Sequence, residues 1–409
     1  MAVGTGADGP YVEFDHTAES EVEWKWMRGV NDAAGVSMKV AADGRLKGVE
    51  SPTSMSSPSI GHRKATEDSQ YLWRERIFVG AFLISIFITL AHFVHSDYSP
   101  GDAFAPVATR TLVYYLFKPE PAPFHAPETY RVAIPALGRF LVRITHTHHP
   151  SVIAAVLDFV FGTLASYLLY QVVVAGFPLA GARLRQRTAA VALFLAFLQF
   201  AIPWVVPWQR PETLPTALYV ALALYCLTRS DRGIAWSAML LAATAVQGFV
   251  RADVPFALGI ALALASLRGD ALREFGTRRA NLAKGIAVAA IAAGVQGYLQ
   301  LVRFPHLSYW PGVSVVQFRN NLGLHNFSNL LLALFPYLVV GGALLMKRVR
   351  LDAVDALILV VSVIYLAIWF TVGLVDEVRL YVPFMMPLSV VAAKFAATYI
   401  LSSEPEQAR

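Results

Sequence analysis

Residues 77–95 read IFVGAFLISIFITLAHFVH, a stretch without a single Asp, Glu, Lys or Arg. A helix needs roughly 17–25 predominantly apolar residues to cross the hydrocarbon core of a bilayer, so this stretch predicts a transmembrane helix. Nine more apolar runs follow along the chain, at 151–174, 188–206, 212–228, 234–250, 252–267, 282–302, 328–347, 353–372 and 380–401. The fold predicted from this pattern is all-α, a polytopic transmembrane bundle of about ten spans.

The composition agrees with lipid as the main solvent. Hydrophobic residues make up 56% of the 409 residues and charged residues only 15%, whereas soluble domains carry about 25% charged residues. The net charge of +6 is typical of basic cytoplasmic loops, so we expect membrane lipid as a partner and no nucleic acid. The single cysteine, Cys226, lies in an apolar run, which excludes a disulfide framework and favours a small buried side chain.

The two ends of the chain differ from its middle. Residues 1–70 are rich in Gly, Ala, Ser, Asp and Glu, and such a segment buries too little apolar surface to offset its ordering entropy. We predict a disordered cytoplasmic tail over 1–70, a transmembrane domain over 71–402 and a short C-terminal tail over 403–409. No signal peptide is expected, because the first long apolar run starts only at Ile77 and no cleavage site follows it.

The loop charges predict an orientation. With the N terminus in the cytoplasm, the short inside loops carry thirteen basic residues and the short outside loops five. The inside residues are Arg183, Arg185, Arg187, Arg229, Arg232, Arg268, Arg273, Arg278, Arg279, Lys284, Lys347, Arg348 and Arg350. Because cytoplasmic loops are enriched in Lys and Arg, both termini are expected inside. The runs 234–250 and 252–267 are short and almost adjacent, so a re-entrant pair is the alternative to two crossings.

Acidic and basic residues occur together at the outside ends of the runs. These residues are Asp97, Asp102, Arg210, Glu212, Arg251, Asp253, Glu377 and Arg379. Ionised groups at an apolar boundary are costly unless they are paired or functional, and Arg binds phosphate through two parallel hydrogen bonds. A phosphate site and a set of inter-helix ion pairs are both consistent with this pattern. Asp102 also suits the cap of a juxtamembrane helix over 103–117.

Other side chains on the same side carry weaker signals. Trp and Tyr residues there are typical of an interfacial belt and are also able to stack on sugar rings. The histidines at 146, 148 and 149 precede Pro150 and are interpreted as exposed loop residues, so no metal site is predicted. Nucleotide-binding and zinc-protease motifs are absent. Energy is therefore expected from an activated lipid substrate or an ion gradient, and a divalent cation is not indicated.

This layout resembles the GT-C superfamily of membrane glycosyltransferases, which use polyprenyl-phosphate-linked sugars. The resemblance covers roughly residues 75–400 and rests on a long first outside loop, with Asp97 and Asp102 soon after the first span. The stretches YRVAIPAL at 130–137 and EVRLYVP at 377–383 are similar to juxtamembrane and late-span motifs of that family. In the family the acids are usually adjacent. Here they are five positions apart, so the choice of base between Asp97 and Asp102 stays open.

The resemblance implies a transferase that moves a sugar from a polyprenyl-phosphate donor to a glycan, lipid or protein acceptor. Asp102 or Asp97 would be the catalytic base, and Arg251, Arg379 and Arg131 would bind the departing phosphate. The site would face the extracytoplasmic side of a bacterial inner membrane, with juxtamembrane helices in the first loop. The alternatives are a transporter or flippase, a polymerase of lipid-linked glycans, and a membrane protein without catalytic activity.

Overall fold

The computed structural model describes residues 59–97, 130–147, 150–177, 183–205, 211–267, 270–306, 317–347, 351–373, 375 and 377–402, together with four short strands near the N terminus. The strands form two antiparallel hairpins, β1 (Ala2–Gly6) with β2 (Gly9–Glu13) and β3 (Met38–Val40) with β4 (Leu46–Val49). Isolated two-stranded hairpins are only marginally stable in water. The predicted disorder of residues 1–70 stays a prediction.

Twelve α-helices follow in the described part of the chain. They are α1 (Ser59–Asp97), α2 (Ala133–Thr145), α3 (Pro150–Ala175), α4 (Arg183–Ala201), α5 (Thr213–Leu227), α6 (Ile234–Arg251), α7 (Asp253–Leu267), α8 (Arg278–Tyr298), α9 (Phe318–Asn321), α10 (Leu324–Lys347), α11 (Ala353–Val372) and α12 (Val382–Ser402). Short 3₁₀ segments at Ile202–Val205, Ser230–Arg232, Asp270–Phe275 and Val378–Leu380 connect some of them, and a π-helical segment, Leu299–Arg303, extends α8.

Each of the ten predicted runs falls on one helix. Among the described residues, eight helices are long and apolar enough to cross a membrane, and two apolar helices, α5 and α7, have only 15 residues each. A 15-residue helix is roughly 22 Å long, shorter than the hydrocarbon core of about 30 Å. The chain is therefore an integral membrane protein with a helical bundle.

The first helix extends well beyond its apolar run. Helix α1 starts at Ser59, ahead of the run that begins at Ile77. Once a long helix exists, each added residue gains one hydrogen bond, so the polar residues before the span continue it. The first loop contains the helix α2, as expected of a juxtamembrane element, whereas residues 103–117 lie outside the described part.

The centre of the bundle is occupied by α12. Of its spanning window, 72% is buried inside the protein, against 17% for α10, which therefore lies at the periphery. Helix α12 packs against α4 and α5, while α3 packs against α5 and α7 against α8. Both short helices, α5 and α7, are mostly buried by these neighbours, which explains how elements too short to face lipid along a full crossing are accommodated.

Helices α7 and α8 approach each other at two glycines. A Cβ placed on Gly259 would lie 2.7 Å from the carbonyl oxygen of Gly285, and one on Gly285 would lie 2.7 Å from the backbone nitrogen of Ala263. Small residues at such crossings let helix backbones pack closely in membranes. This contact positions α7, whose first residue belongs to the polar cluster described below.

We expect Gly285→Ala to destabilise the protein by about 1–3 kcal/mol, because the new methyl group would push two backbones apart. Gly294→Ala in the same helix is the matched control, since a Cβ there meets nothing within 4 Å. Thermal unfolding in detergent should show a lower Tm for Gly285→Ala alone. Equal Tm values for the two variants would contradict the close approach of α7 and α8.

Candidate functional site

Several helix ends meet at the end of the bundle where α6 finishes, here called the Arg251 end. Arg251 is the last residue of α6 and Asp253 the first of α7, with only Ala252 between them. Glu212 lies directly before α5, and Arg131 lies shortly before α2. Alternating helix directions bring these residues to one end of the bundle.

Asp253 is held by three side chains. Its carboxylate accepts hydrogen bonds from Nε and Nη2 of Arg251 at 3.2 and 2.7 Å, from the Tyr365 hydroxyl at 3.1 Å and from Nε1 of Trp369 at 3.0 Å. Nη2 of Arg251 also donates to the Tyr365 hydroxyl. The Arg251 guanidinium lies 5.3 Å from the centre of the Trp369 ring, within the range of a cation–π contact. The Asp253 carboxylate is therefore fixed in position.

A second ion pair adjoins the first. Nη1 of Arg131 donates to Oε1 of Glu212. Arg131 also lies close enough to Asp253 to interact with it electrostatically, and Glu212 does the same with Arg251. We call Arg131, Glu212, Arg251 and Asp253 the Arg251 cluster. Its formal charges balance, so no ion is left uncompensated at the apolar boundary.

The members of the cluster differ in accessibility. The side chains of Arg251 and Glu212 are 1% and 5% exposed, while those of Arg131 and Asp253 are 16% and 28% exposed. Nη1 of Arg251 is closed to solvent and has no hydrogen-bond partner within the described residues. A ligand approaching the protein as it stands would therefore meet the Arg131 guanidinium and the Asp253 carboxylate, with Arg251 behind them.

Arg131 is anchored by an aromatic contact. The neighbouring Tyr130 is buried, packs with Leu299 and lies 6.4 Å from the Phe304 ring, measured between ring centres. The end of α8 thereby holds the start of the α2 segment beside α5 and α6. In the sequence motif YR at 130–131, Tyr130 thus packs against the end of α8 and Arg131 contributes the charge.

Polar pairs continue from the cluster into the bundle between α5 and α6. Nε2 of Gln247 donates to the Thr216 hydroxyl at 3.0 Å, and the Tyr219 and Thr244 hydroxyls are 3.0 Å apart. These four side chains are buried. Because α5 and α6 are antiparallel, successive turns of the two helices lie side by side. The two hydrogen-bonded pairs therefore follow one another from Arg251 into the bundle.

Glu377 and Arg379 form a separate pair nearby. Nη2 of Arg379 donates to Oε2 of Glu377 at 2.7 Å; the Arg379 side chain is 4% exposed and that of Glu377 is 34% exposed. Tyr381, two residues further, places its ring 6.4 Å from that of Tyr365, which itself touches Arg251 and Asp253. The predicted late-span motif therefore adjoins the Arg251 cluster through two tyrosines.

The segment before Glu377 is fixed by an asparagine that sequence reasoning missed. Asn321, in α9, is fully buried; its amide donates to the carbonyl oxygens of Phe370 and Gly373 at 2.8 and 2.6 Å and accepts from the Val375 backbone at 3.2 Å. Tyr365 and Trp369 were also missed. Their spacing of four residues near the end of a predicted span puts both on one helix face, which is the signal that would have found them.

Three predicted site residues have side chains outside the described part of the structure. Asp102 and Arg210 lie outside the described residues, and the side chain of Asp97, the last residue of α1, is outside them as well. Glu212 has Arg131 as its ion-pair partner, although Arg210 is close to it in sequence.

Of the histidines, His146 caps the C-terminal end of α2 with a φ of 50°. Within the described residues there is no group of three or more His, Cys, Asp or Glu side chains suited to a metal ion.

The opposite end of the bundle also contains buried charge, which the sequence did not reveal. Arg187 was counted as a loop residue, but its side chain is 7% exposed and donates to both oxygens of Glu75, with Nη2 to Oε1 at 2.8 Å. The Tyr170 hydroxyl donates to the same carboxylate at 2.5 Å. This network joins α1, α3 and α4.

A second network at that end joins α11 and α12. Nζ of Lys394 donates to both oxygens of Asp355 at 2.9 and 3.0 Å and also to Asp352. Burial alone would raise the pKa of the Asp352 carboxyl, but the Lys394 ammonium outweighs it and holds that pKa below its usual value. Lys394 lies within a predicted apolar span, and one lysine in such a run is itself a signal of a buried partner.

The fold and this site define an integral membrane protein in which the ion-paired residues of the Arg251 cluster lie at one end of a helical bundle. No family model matches the chain, and neither the curated proteins nor the solved structures contain a match to it.

Proposed function

We propose that the chain is a membrane glycosyltransferase that moves a sugar from a polyprenyl-phosphate-linked donor to a glycan, lipid or protein acceptor. In this proposal the site is at the Arg251 end, which the predicted orientation puts on the extracytoplasmic side, and the membrane is a bacterial inner membrane. One observation carries the proposal: Arg131 and Asp253 are the partly exposed members of an otherwise buried charge cluster. A cation and a carboxylate are thus presented together at a membrane boundary.

The two exposed groups suit the two parts of a lipid-linked sugar. The Arg131 guanidinium has donors for phosphate oxygens, and the Asp253 carboxylate accepts hydrogen bonds from sugar hydroxyls. Arg251 and Arg379 are buried and each is paired with an acid. In this proposal Arg131 therefore binds the phosphate, and Arg251 acts by holding Asp253 in position.

The reaction is a displacement at the anomeric carbon. Asp102, or Asp97 in its place, removes the proton from the acceptor hydroxyl as its oxygen forms the new bond to the anomeric carbon. The bond between that carbon and the phosphate oxygen breaks, and polyprenyl phosphate leaves with the electron pair. The negative charge that develops on the phosphate is stabilised by Arg131, whose position is set before the reaction by Glu212 and Tyr130.

We expect Arg131→Gln to raise the KM for the donor by about 10- to 150-fold, since hydrogen bonds to charged groups contribute about 1.5–3 kcal/mol. The assay measures free polyprenyl phosphate formed in proteoliposomes supplied with polyprenyl-phosphate sugars and candidate acceptors. Arg143→Gln, an exposed arginine of the same helix segment, is the control and should leave the KM unchanged.

Two results would contradict the proposal. An unchanged KM in Arg131→Gln would remove the phosphate role of this residue. Translocation of the intact lipid-linked sugar across the bilayer by the wild type, with no polyprenyl phosphate released, would favour the flippase alternative.

A further inference from the structure

Helices α6 and α8 run parallel and both begin at the end of the bundle opposite Arg251. Just before them, the Ser230 hydroxyl donates to the carbonyl oxygen of Phe275 at 2.6 Å. Near their other ends, a Cβ placed on Gly248 would lie 2.9 Å from Cβ of Val295. The two contacts, one at each end, align the helices and place both N termini side by side.

Basic side chains surround these two N termini. Five of them lie within the described residues, and we call them the basic patch: Arg229, Arg232, Arg278, Arg279 and Lys284. Among the described side chains, the acids near them in the sequence are Asp231, which interacts electrostatically with Lys284, and Glu274. Within that part of the chain, cations therefore outnumber carboxylates.

The members of the basic patch are held to different degrees. Arg229 stacks on the Tyr225 ring at 4.2 Å, Lys284 donates to the Phe275 carbonyl at 2.9 Å, and Arg278 donates to the Leu267 carbonyl at 3.1 Å. Arg232, Arg278 and Arg279 are exposed, and Arg278 is already bonded to the Leu267 carbonyl. An anion would therefore meet Arg232 and Arg279 beside basic side chains whose positions are fixed.

The helix ends themselves add to the positive potential. The backbone N–H groups of a first helical turn lack intrahelical partners and favour anions. Helix α6 starts after Gly233, at a φ of 142°, and has no side-chain cap. Helix α8 has one cap bond, from the Ala280 backbone to the Thr277 hydroxyl at 3.3 Å. Trp236 in α6 and Asn281 in α8 already donate to the carbonyls of Gly233 and Thr277, and the N–H groups before them have no intrahelical acceptor.

Apolar side chains next to the basic patch show what kind of anion fits. Ile234, the first residue of α6, is 87% exposed, and Ile286, in the third turn of α8, is 57% exposed. Only 33% and 22% of the spanning windows of these two helices are buried in the protein. A soluble anion would leave this apolar surface uncovered, whereas a lipid would cover it with its acyl chains.

We propose that the basic patch binds the phosphate headgroup of an anionic phospholipid, with its acyl chains along the exposed faces of α6 and α8. Arg232 and Arg279 contact the headgroup directly, and the N termini of the two helices contribute backbone donors. The bound lipid belongs to the leaflet opposite the Arg251 cluster. This site is independent of the proposed sugar transfer.

Native mass spectrometry of the full chain in detergent tests this site. Delipidated protein is titrated with phosphatidylglycerol or with phosphatidylcholine of the same acyl chains. We expect phosphatidylglycerol to be retained preferentially and the double variant Arg232→Gln/Arg279→Gln to bind it about 30-fold more weakly, from the contribution of two basic residues near a lipid surface. Retention by the wild type should also fall as the salt concentration rises.

Arg143→Gln, an exposed arginine at the other end of the bundle, serves as the matched control and should bind phosphatidylglycerol like the wild type. Equal retention of the two lipids, unchanged binding by the double variant, or complete displacement of phosphatidylglycerol by millimolar inorganic phosphate would each overturn the proposal. Because Arg232 and Arg279 are exposed, the double variant should keep the wild-type Tm, and a measured Tm confirms that binding is compared between folded proteins.

Discussion

Asp102→Asn is expected to abolish sugar transfer, with a rate lower than that of the wild type by about 100- to 10,000-fold. This is the usual contribution of a positioned general base. The amide is close in size to the carboxylate but does not accept a proton from the acceptor hydroxyl. The measurement is the initial rate of product formation at saturating donor and acceptor, normalised to the amount of folded protein.

Asp97→Asn must be measured beside it, because the two acids are five positions apart and the base is one of them. The proposal requires a large loss in one of the two variants, with a small effect in the other. Expression and Tm should stay at wild-type values in both. If both variants transferred sugar at the full rate, a carboxylate base in the first loop would be excluded.

Arg251→Met is expected to have the second largest effect. Arg251 supplies two of the hydrogen bonds to Asp253, so its loss leaves a carboxylate near an apolar boundary without its partner. Breaking a buried ion pair in this way costs roughly 3–5 kcal/mol of the free energy of unfolding. Because Asp253 is partly exposed, we expect a loss near the lower end of this range. The Tm in detergent should fall, and transfer should be lost with it.

The double variant Arg251→Met/Asp253→Asn separates structure from function. Removing both charges avoids the uncompensated carboxylate, so the Tm should recover in part. Transfer should not recover, because Asp253 no longer presents a carboxylate to the sugar. Recovery of transfer together with the Tm would show that the pair serves helix packing alone, which is the other interpretation of its sequence pattern.

The helices of this protein were predictable because lipid restricts what a chain can do. A spanning segment must bond its own backbone and show an apolar surface, so runs such as 353–372 were located to within a residue of the observed helix. The lengths of the helices were harder to predict than their positions. Helices α5 and α7 are short because other helices cover them, and this information is not contained in their own hydropathy.

Pairing within the candidate site was less predictable. Arg210 and Glu212 are neighbours in sequence, yet the described partner of Glu212 is Arg131, 81 positions away. Likewise, nothing local to Asp253 indicates that Tyr365 and Trp369 donate to it. Such partners depend on which helices pack together, and the hydropathy of a helix does not show which other helices it packs against. The site role of these charges stays a prediction, and their ion-pair partners were not predictable from the sequence.

Buried charge at the other end of the bundle shows a second limit. Counting Arg187 as a loop residue supported the predicted orientation, but the side chain lies in a network with Glu75 and Tyr170. A count of Lys and Arg does not distinguish solvated from paired residues. Ionisable side chains inside or at the edge of an apolar run, such as Glu75 and Lys394, are the positions at which a partner should be sought.

The most direct measurement is an experimental density map of the chain with polyprenyl phosphate bound. The proposal predicts the phosphate at the Arg251 end, with an oxygen about 3 Å from the Arg131 guanidinium and the adjoining space bordered by Asp253. A phosphate bound at the opposite end of the bundle, or a lipid whose headgroup stays clear of Arg131, would contradict it.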